Sequence, residues 1–285
     1  MPFGGLEGQS PRGVRGSAPI LSLPSPVRTG GGSRAGAGIA MKYLWTAIWL
    51  LLAAPSWAGD PSALWKEVNE KCVPNMRDAK NPAPCDVVDL AAGYVALKDI
   101  VGATQFLLIP ATRLAGIETP DILQDGAPNY WDHAWRMRRL TEARAGKALP
   151  REALSLAINS AYGRTQDQLH IHIDCVRRDV RDALAAHRDA IDIYWDTFPV
   201  RLASQTWRAY RIDGENLGTT DPFRLLAGGS PDAATEMGRH SLVLVGMTWS
   251  NGVKGFALLD GRAGLSPPNR GSGEILQDHG CALAR

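Results

Sequence analysis

From residue 59 onward the chain alternates short apolar runs with polar stretches broken by proline and glycine, and the spacing within each run predicts an element. Two runs, GYVALKDI at 93–100 and TQFLLIP at 104–110, stand three residues apart and predict a hairpin. A second hairpin is predicted where ALSLAIN at 153–159 passes through SAYGRTQD into LHIHIDC at 169–175. A third strand pair, HSLVLVGMTW at 240–249 and GFALLD at 255–260, is joined by SNGVK with its Asn-Gly turn signal. Helical spacing predicts helices over 62–72, over 129–146 with Trp131, Trp135, Met137 and Leu140 on one stripe, and over 180–195. The proline-rich stretch 73–85, the stretch 111–128 and SPPNRGSG at 266–273 read as loops. Strands in hairpins with interspersed helices predict an α+β fold, an antiparallel sheet with helices packed on it.

Composition changes this picture first at the N-terminus. Residues 1–40 are Gly, Ser, Pro, Arg and Ala with one acidic residue and no apolar periodicity, so they are read as a disordered or untranslated extension. Residues 41–58 then read as a signal peptide. Lys42 gives the basic start, Tyr43 to Ala54 the apolar run, and Ser56 and Ala58 the small residues before a cut ahead of Gly59. That apolar run falls short of the about 20 residues needed to span a bilayer, so cleavage and export are expected over permanent anchoring. An exported protein, periplasmic or associated with the inner membrane, is the expectation.

Charge and cysteines follow from that cut. The whole chain carries 31 basic and 29 acidic side chains, a net +2; without residues 1–58, which hold five and one of these, 26 and 28 remain, a net −2. Bulk attraction to nucleic acid is therefore not expected. All four cysteines, Cys72, Cys85, Cys175 and Cys281, lie after the cut, and an even number in an exported chain favours two disulfides. Of the three pairings open to them, Cys72 with Cys85 and Cys175 with Cys281 is the expected one. No ligand spacing such as CxxC accompanies them, which argues against a metal site there.

The candidate chemistry lies in LHIHI. In a strand His170 and His172 share one face, while Leu169, Ile171 and Ile173 share the other, so one face is suited to packing and the other to chemistry. HxH is also a metal-ligand spacing, and a third ligand would have to come from His133, His240, Asp174 or Glu118, none at diagnostic spacing. His187, His240 and His279 otherwise read as isolated surface or capping residues.

The run NSAYGRTQDQLHIHI resembles the signature of the histidine triad superfamily, in which a Gly- or Ser/Thr-bearing turn enters a strand reading HxHxH. Gln168 stands at the first histidine position, followed by His170 and His172. KDI followed by TQFLLIP resembles the superfamily's acidic residue and next strand, with Asp99 at the ribose-binding acid; Gln105 and Arg113 stand where the family often has histidines. Closer still is the similarity to the exported CDP-diacylglycerol pyrophosphatase family. It rests on the apolar leader, the Cys- and Pro-rich loop, GYVxLKD, SLAINSxxGRTQ, HIHIxC, RxDVR and the late cysteine, and it covers nearly all of the chain after the leader.

What the resemblance implies is hydrolysis of CDP-diacylglycerol to CMP and phosphatidate, with no cofactor or metal, a membrane surface as partner and no nucleic acid. It makes His170 the nucleophile that forms a cytidylyl-histidine, a role a neutral imidazole with an ordinary pKa of about 6.5 can fill. His172 and Gln168 would donate to the phosphoryl oxygens. Thr165 and the backbone amides near Gly163 would form an anion-binding turn, with Asn159 facing it and Arg164 adding charge. Asp99 would accept from ribose. For Gly163, Arg164 and Thr165 an ordinary hairpin turn remains the plain alternative. The resemblance further implies a histidine-triad-like sheet over 59–198, with 199–285 packed on it as a second, degenerate half that could replace a second subunit. Two other functions stay open: hydrolysis of soluble nucleotide diphosphates by the same route, and non-catalytic binding of metal or nucleotide by the histidine strand.

Overall fold

The computed structural model describes residues 59–284 apart from 230, 266 and 267, so the predicted extension and leader lie outside the described residues. Nine strands line up: β1 (Val87–Asp89), β2 (Tyr94–Lys98), β3 (Phe106–Pro110), β4 (Leu154–Ile158), β5 (Ile171–Val176), β6 (Asp196–Thr197), β7 (Arg208–Asp213), β8 (His240–Thr248) and β9 (Lys254–Arg262). Their order is β1-β2-β3-β5-β4-β8-β9-β7-β6, antiparallel throughout. A small ribbon of β10 (Gly264–Leu265) and β11 (Pro268–Asn269) follows, and β12 (Gln277–Asp278) then pairs with β5 beyond the end of β3.

The three expected hairpins are all present, in the registers Leu97↔Leu107, Ala157↔His172 and Thr248↔Lys254. What hairpin patterns do not specify is how they join. β4 pairs with β8 from Ser155↔Val245 to Ile158↔Leu242, so the strands after residue 198 extend the sheet that carries the histidines. β7, whose RAYRID carries two arginines and an aspartate, was not legible as a strand; pairing with β9 over its whole length outweighs its weak alternation.

Cross-strand partners share a face, and this divides the core. Ala96, Phe106, Leu108, Leu156, Ile171 and Ile173 point to one side and pack on Trp131, Ala134 and Trp135. These come from a long helix, Tyr130–Ala145, started by Asn129, whose side chain accepts from Asp132 N at 3.2 Å, and ended at Gly146 with φ 74°. On the other side Val95, Leu107 and Ile109 are covered by Leu64, Val68 and Val73. Further along, Ala157, Val243, Val245 and Leu259 are covered by Val180, Leu184, Phe198 and Trp207. Between these two covers lies the stretch of β5 that bears the histidines.

Two helices differ from the pattern. The first begins at Ala63–Lys66 but continues through a π-helical segment, Glu67–Cys72, into Val73–Ala79, inside the predicted loop. Pro74, which has no N–H to give to the turn before it, stands directly after the π-helical segment, where the regular hydrogen-bond ladder is already interrupted. The predicted helix over 180–195 stops at Arg178–Ala186. Beyond it the chain serves the sheet edge: Asp192 O accepts from Arg211 N at 2.7 Å, and Asp196–Thr197 pairs with Ala209 and Arg208. The four cysteines form two bridges, Cys72–Cys85 and Cys175–Cys281, with Cα–Cα separations of 5.6 and 5.2 Å. The second pins the C-terminal tail to β5. Among the described residues no helix is long and apolar enough to cross a membrane.

Candidate active site

His170 immediately precedes β5 and His172 lies within it, opposite Leu107 of β3 and Ala157 of β4. The two rings meet edge to face with centroids 4.8 Å apart. They line a cavity of about 600 Å³ whose polar wall includes Asp99, Asn159, Thr165 and Glu274 and whose apolar wall includes Leu97 and Leu107. The cavity is the gap between the two covers, so its position follows from where the helices end.

His170 is 8% exposed, and its Nδ1 lies 2.6 Å from the carbonyl oxygen of Gln168. A carbonyl only accepts, so the proton sits on Nδ1 and the lone pair on Nε2, the atom left for the cavity. Burial lowers the pKa of this imidazole, opposed by the Gln168 carbonyl and the charges of Glu274 and Asp99. The ring is thus held neutral, in one tautomer.

Around His172 the sequence-distant residues converge. Its Nδ1 is 2.7 Å from Gln105 Nε2 and 3.1 Å from Glu274 Oε1, and burial lowers its pKa well below the ordinary value, helped by the charges of His170 and His279. The Gln105 amide also donates to Asp99 Oδ2 at 3.0 Å, and Asp99 Oδ1 accepts from Val101 N. A neutral His172 that accepts from Gln105 keeps its proton on Nε2, a buried nitrogen without a partner among the described residues. Such an orphaned donor beside His170 suits an anionic oxygen better than an apolar group.

The turn before β5 is braced rather than free. Ser160 N donates to Gly271 O at 2.7 Å and Ser160 Oγ to Arg270 O at 2.6 Å. Gly163 is required by this contact, because a Cβ there would stand 2.7 Å from the Gly271 carbonyl oxygen. Arg164 is spent on Glu118 at 2.6 Å and Asp167 at 3.0 Å. Thr165 is exposed at the cavity wall. Asn159 lies on the same wall, but its carbonyl accepts from Gly273 N at 2.8 Å and its amide donates to Glu274 Oε2 at 2.6 Å, so it positions Glu274.

One expected residue is elsewhere. Gln168 is fully buried and donates both amide N–H groups to carbonyls, Pro110 O at 3.1 Å and Thr112 O at 2.8 Å, while its Oε1 accepts from Leu114 N. The expected donation to a phosphoryl group has no N–H left to perform it. The alternation that placed Gln168 beside His170 holds within a strand, and β5 starts only at Ile171. Nor do the candidate third ligands reach the pair. His133 stacks on Tyr94, His240 is bound to Asp260, Glu118 to Arg164, and Asp174 to Thr104 and His279.

Glu274 is the residue of the cavity wall that the sequence does not point to. It lies one residue past the glycine-rich loop, with no spacing to tie it to the histidines, and only the contact of that loop with Asn159 and Ser160 brings it in. His279 was likewise unassigned; Asp174 accepts from it at 2.8 Å, which raises its pKa.

A sequence profile described as CDP-diacylglycerol pyrophosphatase matches residues 59–285. A curated CDP-diacylglycerol pyrophosphatase of Yersinia pestis is 38% identical over 247 residues, covering 85% of this chain and 94% of that protein.

Proposed function

Since the chain belongs to the CDP-diacylglycerol pyrophosphatase family, we propose that this hydrolase cleaves CDP-diacylglycerol to CMP and phosphatidate through a cytidylyl-histidine on His170. The observation that carries the mechanism is the Nδ1–H of His170 held by the Gln168 carbonyl at 2.6 Å, which directs the Nε2 lone pair toward the cavity. Nε2 attacks the phosphorus bonded to the cytidine 5′-oxygen. A P–N bond forms, and the bond to the bridging oxygen breaks with its electron pair leaving on phosphatidate. Water then attacks the same phosphorus, the P–N pair returns to Nε2, and CMP leaves as the water proton passes to solvent or to Glu274.

His172 supplies Nε2–H to a non-bridging oxygen, a donor whose tautomer is set by Gln105, whose amide is itself held by Glu274 Oε1 at 3.3 Å and Asp99 Oδ2 at 3.0 Å. Thr165 adds a hydroxyl at the cavity wall, Asn159 holds Glu274 in place, and Asp99, on the same wall, accepts from the ribose hydroxyls with the lone pairs left by Val101 N and Gln105. No step requires a metal. The two disulfides support action outside the cytoplasm, in the periplasm or at the inner membrane.

The test uses CDP-diacylglycerol labelled in the cytidine, in EDTA, with an alkaline quench and intact-mass analysis. CMP release with a cytidylyl adduct that is absent from His170→Ala is the expected result. Release that EDTA stops would make His170 and His172 metal ligands. Turnover of soluble nucleotide diphosphates alone would move the activity to those substrates, and folded protein giving neither CMP nor adduct would withdraw the reading.

A further inference from the structure

The turn between β2 and β3 presents two apolar side chains to water on the rim of the cavity: Ile100 is 100% exposed and Val101 50%. Single exposed apolar residues are common on protein surfaces and carry nothing alone. Here three further observations accompany them.

First, the tip is held outward. Asp99 N donates to Gln105 O at 3.2 Å, Val101 N to Asp99 Oδ1 at 3.0 Å, and Ala103 N to His279 O at 3.0 Å. Gly102, at φ 70°, lies so close to the tail that a Cβ would meet His279 Cβ at 2.7 Å. The tail is itself fixed by the Cys175–Cys281 bridge. The turn therefore cannot readily fold Ile100 inward, and the ordering of an apolar tip in water is already in place.

Second, the tip continues an apolar path that ends at the chemistry. Leu97 lies opposite Leu107, and Leu107 lies opposite His172, so the three share one face in a single cross-strand row. Leu97 and Leu107 line the cavity along with Ile100 and Val101. Third, cations flank the tip. Lys98 Nζ is bound to Gly102 O at 3.0 Å, and the exposed Arg144 approaches Ala103 O at 3.5 Å; of the carboxylates around them Asp99 is turned to Gln105 and Val101 N, Asp86 accepts from Lys98 N at 2.9 Å, and Glu67 on the cavity wall is paired with Lys71 at 2.7 Å. An apolar tip between two cations matches the interface of an anionic bilayer, where apolar side chains enter the acyl boundary and cations face lipid phosphates.

We propose that the Ile100–Val101 tip is the membrane-contacting element of the protein, and that it seats the cavity mouth on the bilayer. The acyl chains of the substrate then stay on the tip side, and the nucleotide reaches His170 past Leu97 and Leu107. The inference rests on the liponucleotide reading above for its substrate.

The experiment compares the full protein with the double variant Ile100→Asp, Val101→Asp and with Ile100→Phe, Val101→Phe. Each is assayed on long-chain CDP-diacylglycerol in phosphatidylethanolamine–phosphatidylglycerol vesicles and on a short-chain, monomeric CDP-diacylglycerol, and co-sedimentation with the same vesicles is measured separately. The expected result for the aspartate variant is a loss of tenfold or more in vesicle kcat/KM together with loss of co-sedimentation. The ratio of vesicle to short-chain kcat/KM should therefore fall tenfold or more in the aspartate variant, and the phenylalanine variant should match the original protein on vesicles. Undiminished vesicle activity and co-sedimentation of the aspartate variant would overturn the proposal. So would an equal loss on both substrates, which would place the effect in the site through Asp99. If the original protein turns over neither substrate, the liponucleotide reading fails, whereas co-sedimentation still decides the surface.

Discussion

His170 and His240 invite comparison because both are buried histidines at the starts of strands in one sheet, each holding a partner through Nδ1. Their surroundings differ in kind. His170 is bound to a neutral carbonyl and opens onto the cavity, with no carboxylate bonded to it. His240 lies 2.7 Å from Asp260 Oδ1, and Asp260 in turn takes two hydrogen bonds from Arg208, at 3.0 and 2.6 Å; the other ring nitrogen of His240 is enclosed. A His–Asp pair is often sought as a sign of catalysis, yet here the pair with the carboxylate is the closed one. Access of Nε2 to space, rather than the presence of an acid, separates the proposed nucleophile from a structural clamp.

The strongest way to break that comparison is substitution of each histidine's environment. His170→Ala should lower kcat by about 10³-fold or more with little change in thermal unfolding, since it removes the atom proposed to attack. Asp260→Ala should do the reverse: it leaves Arg208 and His240 unpaired around a buried site and should cost about 3 kcal/mol in urea unfolding, with kcat preserved in the folded fraction. If Asp260→Ala lost activity without losing stability, the C-terminal cluster would have to be counted as part of the chemistry.

A sharper test concerns Glu274, whose proposed effect on His172 runs through Gln105. Glu274→Gln can keep the contact with Asn159 but replaces the carboxylate that accepts from the Gln105 amide, and a loss of about tenfold in kcat with KM little changed is expected. A purely structural role would leave kcat untouched. The pH profile follows next. Because burial depresses the His170 pKa, the neutral nucleophile persists below pH 6.5, so the acid limb of kcat/KM should fall with a midpoint below that value. A midpoint at or above it would mean that Glu274 and Asp99 outweigh burial.

The smallest expected effect is at the tail. Asp174 raises the His279 pKa above its unfolded value, so the stabilisation is fully present below about pH 6.5 and is lost as pH rises through the folded value. His279→Asn should therefore narrow the gap between urea midpoints at pH 5.5 and pH 9, by up to about 1 kcal/mol. An unchanged gap would show that the His279–Asp174 contact adds nothing to the hold of Cys175–Cys281 and the β12–β5 pairing on the tail.

How much of this was legible beforehand depends on the range of the interaction responsible. The pairing of His170 with His172 on one face and the strands of the three hairpins are set by a period of two, which operates between near neighbours. The start and stop of the helix Tyr130–Ala145 are equally local, written in Asn129 and Gly146. Local rules fail where an element ends: Gln168 stands just outside β5, and residues 187–195 abandon a helical pattern for the edge of β7.

The residues therefore determined by themselves that His170 and His172 stand together on one face, which strand carries them and that the fold is α+β. Tertiary structure alone decided that Glu274 reaches His172, that Gln168 spends its amide on carbonyls, and that the strands after residue 198 join β4. The physical reason is that these depend on backbone groups and loops far apart in the chain. Their hydrogen bonds must be satisfied on burial, but sequence spacing does not say by which partner.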